Sequence, residues 1–147
     1  MKTLMRGLFF LMLLSAPAIA EQPEMIGHVR TLQGNASIIR GGVALPAVVG
    51  AGVKQGDLIR TDKLGAVGIV LIDDTTISLG SGSELLLSQY NFDPKGGKFS
   101  LVMRMVKGTF SFLSGMIGKL APDSVQLAIP EATIAVRGTK LLVEIKD

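Results

Sequence analysis

Few residues in this chain could carry chemistry, and their types exclude most catalytic arrangements. The sequence contains one histidine, His28, and no cysteine. A zinc site needs three or four ligands, which His28 could complete only together with several carboxylates. A Ser-His-Asp arrangement would need a polar partner placed near His28, and no spacing supports one. We therefore expect His28 to be an exposed strand residue, and we expect no metal and no cofactor.

The best pair of carboxylates for acid–base chemistry is Asp73-Asp74. Adjacent strand residues point to opposite faces of a sheet, so the two side chains could hold one substrate only if a turn redirected them. The β-like runs on both sides predict a tight hairpin here. Residues 80–83, Gly-Ser-Gly-Ser, look like a phosphate loop but lack its Lys-Ser/Thr ending and a clear following helix. We predict no catalytic residue.

Residues 1–20 have the pattern of a secretory signal peptide. Lys2 and Arg6 precede an apolar run, and Ala18-Ile19-Ala20 supplies the small residues that a signal peptidase reads. The run is too short to span a bilayer, which needs about 20 residues. We expect cleavage after Ala20 and release into the periplasm, with an uncleaved anchor as the alternative. The rest of the chain contains no other candidate membrane span.

Without these twenty residues the chain is nearly neutral. The full sequence has 15 Lys and Arg residues against 12 Asp and Glu residues, and two of the basic residues belong to the signal. Residues 21–147 contain no basic run with interleaved aromatic residues, which argues against a nucleic-acid partner. Because cysteine is absent, the fold must be held by core burial alone. This length predicts a single domain over residues 21–147.

Short apolar runs punctuated by glycine predict an all-β domain. Turn signals recur about every 8 to 12 residues, which is typical of a sandwich, a barrel or a rolled solenoid-like sheet, and periodicity does not choose among them. Residues 91–98 read as a long polar loop. Residues 114–120 could form a turn of helix, although Gly115 and Gly118 disfavour it. Phe110 and Phe112 share a strand face, which favours the core over a sugar-stacking platform.

Two further segments predict a fixed turn and a buried ion pair. Gly56-Asp57 stands at the start of a strand, where an aspartate can accept backbone N–H bonds and fix a turn. Arg137 lies in an otherwise apolar segment, where a buried guanidinium needs a carboxylate or several carbonyl oxygens. We hypothesise that Arg137 pairs with Asp57 or with one of Asp73 and Asp74, and that Gly138 has a positive φ angle.

These segments carry a resemblance to the FecR domain, the periplasmic sensor portion of ferric-citrate-type transport regulators. Gly56 and Asp57 fit one motif of that family, and a late signature before the last strand is filled by Pro130, Ala132, Val136, Arg137, Gly138 and Thr139. The resemblance covers residues 27–145 and implies an all-β domain. The family commonly has an aspartate-glycine turn where Asp73-Asp74 stands.

The resemblance implies a non-enzymatic envelope protein that acts by contact with another protein, as an accessory, scaffold or sensor in signalling. In the regulators, a cytoplasmic segment and a membrane helix precede the domain, and a further region follows it. This chain departs from that plan, so we expect an accessory or scaffolding role rather than direct transmembrane signalling. The alternative is a binding module for cell-wall glycan or a small envelope ligand. An exposed aromatic pair near residues 91–98 would favour that alternative, and a flat apolar patch would favour a protein partner.

Overall fold

The computed structural model describes residues 24–136, 138 and 140–145, and their fold is all-β, as predicted. These residues form twelve strands, one short helix and a single 3-10 turn at Pro122–Ser124. The strands are β1 (Met25–Gln33), β2 (Ala36–Arg40), β3 (Val43–Pro46), β4 (Gly52–Lys54), β5 (Leu58–Thr61), β6 (Ala66–Leu71), β7 (Thr76–Leu79), β8 (Glu84–Asp93), β9 (Lys98–Leu113), β10 (Val125–Ile129), β11 (Ala132–Ala135) and β12 (Lys140–Ile145), and the helix is α1 (Met116–Leu120).

The strands make one curled, half-barrel sheet with the order β3-β2-β5-β8-β9-β7-β6-β1-β4. Neighbours along this path are antiparallel. Strand β10 pairs parallel with the first half of β9, and β12 pairs antiparallel with its second half. Of the three architectures that the sequence left open, the rolled sheet is therefore the most similar to the observed fold.

The sheet is organised by long strands that are interrupted along one line. β1 leads into β2, β5 into β6, and β7 into β8. Each of these pairs acts as one long strand: β1 and β2 pair with β6 and β5, and β6 and β5 pair in turn with β7 and β8. Strand β9 runs the full length and pairs with β8 and then with β7. We call this line the crease and define it as residues 34–35, 62–65, 80–83 and 108. Buried side chains from both sides of the crease form one core inside the curled sheet.

Hydroxyl groups replace the regular ladder at the crease. The Thr61 hydroxyl donates to the carbonyl oxygen of Gly80 at 2.6 Å and accepts from the N–H of Ser83 at 2.8 Å. The buried Ser83 hydroxyl accepts from the N–H of Thr109 at 2.9 Å and donates to its carbonyl oxygen at 3.1 Å. The Gly-Ser-Gly-Ser segment is therefore a structural loop in which Ser83 joins two strands.

The core follows the period-two alternation of the strands. Phe110 and Phe112 are buried, as predicted, and lie opposite Leu79 and Ile77 of β7. Met103 and Met105 are also buried on the inner face of β9. His28 lies on β1 and is exposed.

One sequence-based prediction of local structure is wrong. Residues 91–98 are not a long loop, because β8 continues to Asp93 and β9 begins at Lys98, which leaves a turn of four residues. Cross-strand pairing of Phe92 with Phe99 extends the hairpin, with ring centroids 6.1 Å apart. Residues 116–120 form a helix in spite of Gly118, and a distant aspartate described below supplies its missing cap.

Candidate functional site

Asp73 is the most heavily bonded side chain of the β6–β7 hairpin, and its carboxylate is fully buried. One oxygen accepts from the Tyr90 hydroxyl at 2.9 Å and from the N–H of Thr75. The other accepts from the Thr75 hydroxyl at 2.7 Å and from the N–H of Ile117 at 3.0 Å. Since α1 has no side-chain cap of its own, Asp73 caps it from a position 44 residues earlier.

The partners of Asp73 leave it unsuited to acid–base chemistry. Burial, followed by the negative charge of Asp73, raises the pKa of the Tyr90 phenol above its ordinary value of 10.0. Tyr90 therefore stays a neutral hydrogen-bond donor to Asp73. Asp74 is exposed and has a φ of 68°, a left-handed turn conformation that glycine adopts most easily. The two aspartates thus have different structural roles.

Asp57 is the second buried carboxylate, with 1% of its surface exposed. The Arg40 guanidinium binds it with two nitrogens, at 2.9 and 2.8 Å, and the N–H of Lys54 donates to it at 2.8 Å. Arg40 also donates to the carbonyl oxygen of Gly52. This cluster ties the end of β2 to the β4–β5 turn, where Gly56 has a φ of 89°.

The sequence analysis did not identify Arg40 as the partner of Asp57, although the sequence of β2 contains a signal for this role. Ala36 and Ile38 are buried, and Arg40 follows on the same face of β2. A cation that continues an apolar strand face needs a buried anion, which here is Asp57. Arg137, the partner that we hypothesised for Asp57, Asp73 or Asp74, lies outside the described residues, as does Thr139. Gly138 has a φ of 108°, and Pro130 occupies the turn between β10 and β11.

Replacing Arg40 with alanine is expected to lower the free energy of unfolding by about 2 kcal/mol. The loss leaves the buried Asp57 carboxylate without its cation, which is costly even though Arg40 itself is 31% exposed. Arg60→Ala is the matched control, because Arg60 also binds a carboxylate, Glu84, at 2.7 Å but is 48% exposed. That surface pair should contribute less than about 0.5 kcal/mol. Urea unfolding of both variants decides the matter, and equal losses would mean that Asp57 does not depend on Arg40.

The surface feature most suited to binding is the exposed apolar segment of residues 43–49, which we call the β3 surface. Val43, Val48 and Val49 are 59%, 54% and 64% exposed, and Leu45 is 37% exposed. Within the described ranges β3 pairs with β2 alone, so one side of its backbone is free. Sequence reasoning passed over this run, although Pro46 inside it is a signal for an edge strand.

The cavities are poorer candidates for a ligand site than the β3 surface is for a protein-binding site. One cavity of about 610 Å³ lies at the crease, and no aromatic side chain lines it. A smaller one of about 290 Å³ lies beside Tyr90 and Phe92. Phe92 and Phe99 are half-buried at the end of their hairpin, with ring planes inclined by 50°, so they do not form a flat exposed pair. In the part of the chain that the structure describes, no group of three or more His, Cys, Asp or Glu residues could hold a metal ion.

This arrangement defines an all-β domain whose buried charges serve the fold and which exposes apolar residues on the edge strand β3 and in the segment that follows it. The model of the family described as FecR protein matches residues 57–147, and the chain belongs to this family. Proteins of the family are regulatory, and membership suggests a periplasmic regulatory or sensor role. No curated protein and no solved structure matched the chain. Among the described residues, no helix is long and apolar enough to cross a membrane.

Proposed function

We propose that this chain is a non-enzymatic periplasmic FecR-domain protein that binds another envelope protein and acts as an accessory, a scaffold or a sensor. The observation that carries the proposal is the β3 surface. Val43 and Leu45 lie on an edge strand with free backbone groups, and Val48 and Val49 lie in the segment that follows it. Exposed apolar patches and unpaired edges are features by which proteins bind other proteins.

The chemistry of the β3 surface indicates how the partner binds. Residues 43–49 contain no charged side chain, whereas edge strands that avoid contact are usually protected by charges. A partner segment in extended conformation can pair with the free side of β3, while Val43 and Leu45 contact its side chains. Recognition by strand addition obtains affinity from main-chain hydrogen bonds and specificity from alternate side chains.

The buried polar groups support a role without catalysis. The Asp57 carboxylate is held by Arg40 and Lys54, and the Asp73 carboxylate by Thr75, Tyr90 and Ile117. An acid or base must reach its substrate within hydrogen-bond distance, which neither carboxylate does from its buried position. The Arg40–Asp57 pair ties β2, the neighbour of β3, to the β4–β5 turn, and Asp73 ties its hairpin to β8 and α1.

Site-specific photo-cross-linking in living cells tests the proposal. A photoreactive residue at Val43 or Val49 should capture one defined envelope protein, whereas the same residue at Leu64, which is 92% exposed at the crease, should not. Substituting Val43→Lys in the Val49 reporter should abolish the capture without lowering the melting temperature. Intact mass of the captured chain should show a start at Glu21, as expected after signal cleavage.

The opposite outcomes are equally informative. Capture of the same protein from Leu64 as from Val43 would mean that the β3 surface is not the binding site. Co-sedimentation with purified cell wall, unaffected by Val43→Lys, would favour the alternative of a glycan-binding module. A chain that keeps residues 1–20 in the membrane fraction would replace release into the periplasm with membrane attachment.

A further inference from the structure

The last strand, β12, forms a second free edge. It pairs with the second half of β9, and no other described strand pairs with it. Its side chains alternate between exposed and half-buried along the strand. Lys140, Leu142 and Glu144 point outward, and Leu142 is 66% exposed at the middle of the strand. An edge of this length with an exposed leucine at its centre is a template for further pairing.

The sequence of β12 is complementary to itself. In an antiparallel pair of two copies related by a two-fold axis at Leu142, Lys140 of each copy lies opposite Glu144 of the other. On the inner face, Leu141 of one copy lies opposite Val143 of the other, and the two Leu142 side chains meet at the axis. Opposite charges and apolar pairs directly across a strand pair are stabilising, whereas like charges are destabilising.

The complementarity also selects the register. A two-fold axis perpendicular to a sheet keeps side chains on their own faces, so the axis can move along β12 only by whole residues. Moving it by one residue, to Val143, would place Leu142 opposite Glu144 and separate Lys140 from its acidic partner. The axis at Leu142 matches charge with charge and apolar with apolar at every position from 140 to 144.

We propose that two copies of this protein associate through their β12 strands, antiparallel and with the two-fold axis at Leu142. The contact is isologous, as in most homodimers. It joins the two curled sheets edge to edge and covers the half-buried inner residues Leu141 and Val143, which lie opposite Phe112 and Phe110 of β9. The inference is independent of the β3 surface, which lies at one end of the sheet path, whereas β12 lies beside β9.

Charge exchange across the axis tests the proposal in solution. Lys140→Glu and Glu144→Lys each create two like-charge pairs, so each should raise the dimer dissociation constant by at least about tenfold. The double variant, K140E together with E144K, restores both pairs in the reverse sense and should return the constant to near that of the wild type. Lys95→Glu, in the exposed turn between β8 and β9, is the matched control and should change nothing. Sedimentation equilibrium measures the wild type and all four variants, and thermal unfolding verifies that each is folded.

A disulfide test gives a second readout, which reports the register of the two strands. The protein has no cysteine, so a single introduced thiol can bond only to another copy. Residues directly opposite in an antiparallel pair have Cα atoms about 4.5 to 5.5 Å apart, within the range of a disulfide. Leu142→Cys should therefore form a covalent dimer under mild oxidation, whereas Lys140→Cys should not. A monomeric wild type, equal cross-linking of both thiols, or a double charge variant no better than the single ones would overturn the proposal.

Discussion

Replacing Asp73 with alanine should lower the free energy of unfolding by about 4 kcal/mol. The substitution removes the acceptor of the Thr75 and Tyr90 hydroxyls and of the N–H of Ile117, all of them buried. Each buried donor left without a partner costs about 1–3 kcal/mol. The melting temperature should fall by 10 °C or more, at about 3–4 °C per kcal/mol. Helix α1 loses its cap in the same step, so the loss includes local unfolding.

Asp74→Gly is the matched control for Asp73→Ala. It alters the neighbouring carboxylate of the same turn, and glycine accepts the φ of 68° at that position. We expect a change within about 1 kcal/mol. Similar losses in both variants would mean that the turn, and not the carboxylate network, determines stability.

A second readout comes from Tyr90, which is the single tyrosine in a chain without tryptophan. Because folding raises the pKa of Tyr90, the folded protein keeps a proton that the unfolded chain loses above pH of about 10. The resulting stability is fully present below that pH and is lost as pH rises from there through the raised pKa of Tyr90 in the folded protein. In Asp73→Ala the tyrosinate absorbance should appear at lower pH, because a negative charge next to the phenol is gone. An unchanged titration would contradict the contact.

Gly108→Ala should lower the free energy of unfolding by about 3 kcal/mol. Gly108 has a φ of 97°, and a Cβ built on it would lie 2.5 Å from the Cα of Ser83 and closer still to the Ser83 hydroxyl. The backbone conformation costs about 1–2 kcal/mol in a residue with a Cβ, and the overlap adds a similar amount. Since the Ser83 hydroxyl joins β8 to Thr109, the overlap also disrupts the crease.

Gly97→Ala separates the two contributions. Gly97 lies in the turn before β9 and has a φ of 67°, but no atom lies within 4 Å of its added Cβ. It should therefore show the conformational cost alone, about 1 kcal/mol. Chemical denaturation compares the two variants. If Gly108→Ala lost no more than Gly97→Ala, the close approach of β8 and β9 at the crease would be disproved.

Period-two alternation was sufficient to predict the fold class and the core face of β9. Phe110 and Phe112 alternate with polar neighbours, and this pattern is local. The turn at Asp74 was predictable as well, because alternating runs on both sides of Asp73-Asp74 indicate a hairpin. Alternation does not predict the crease, because the crease depends on three interruptions that are far apart in sequence and meet in space beside Gly108 of β9.

The candidate site was harder to predict, for a physical reason. An isolated segment with two nearby glycines is a poor helix, and α1 forms because Asp73 caps it across 44 residues. The pairing of Arg40 with Asp57 is likewise non-local, although the strand face that carries Arg40 hints at it. The β3 surface resembles a buried strand in composition, and only its position at the end of the sheet leaves it exposed.

The meander of long strands also has a consequence for how the chain acquires its structure. From β5 to β9, each long strand pairs with the one that follows it in sequence, and the turns between them are short. Closing a short loop costs little chain entropy, so the sheet can grow by successive addition of neighbouring segments. Strand β12 instead pairs with β9 across the intervening α1, β10 and β11. The central hairpins can therefore form early, with the final strand completing the sheet last.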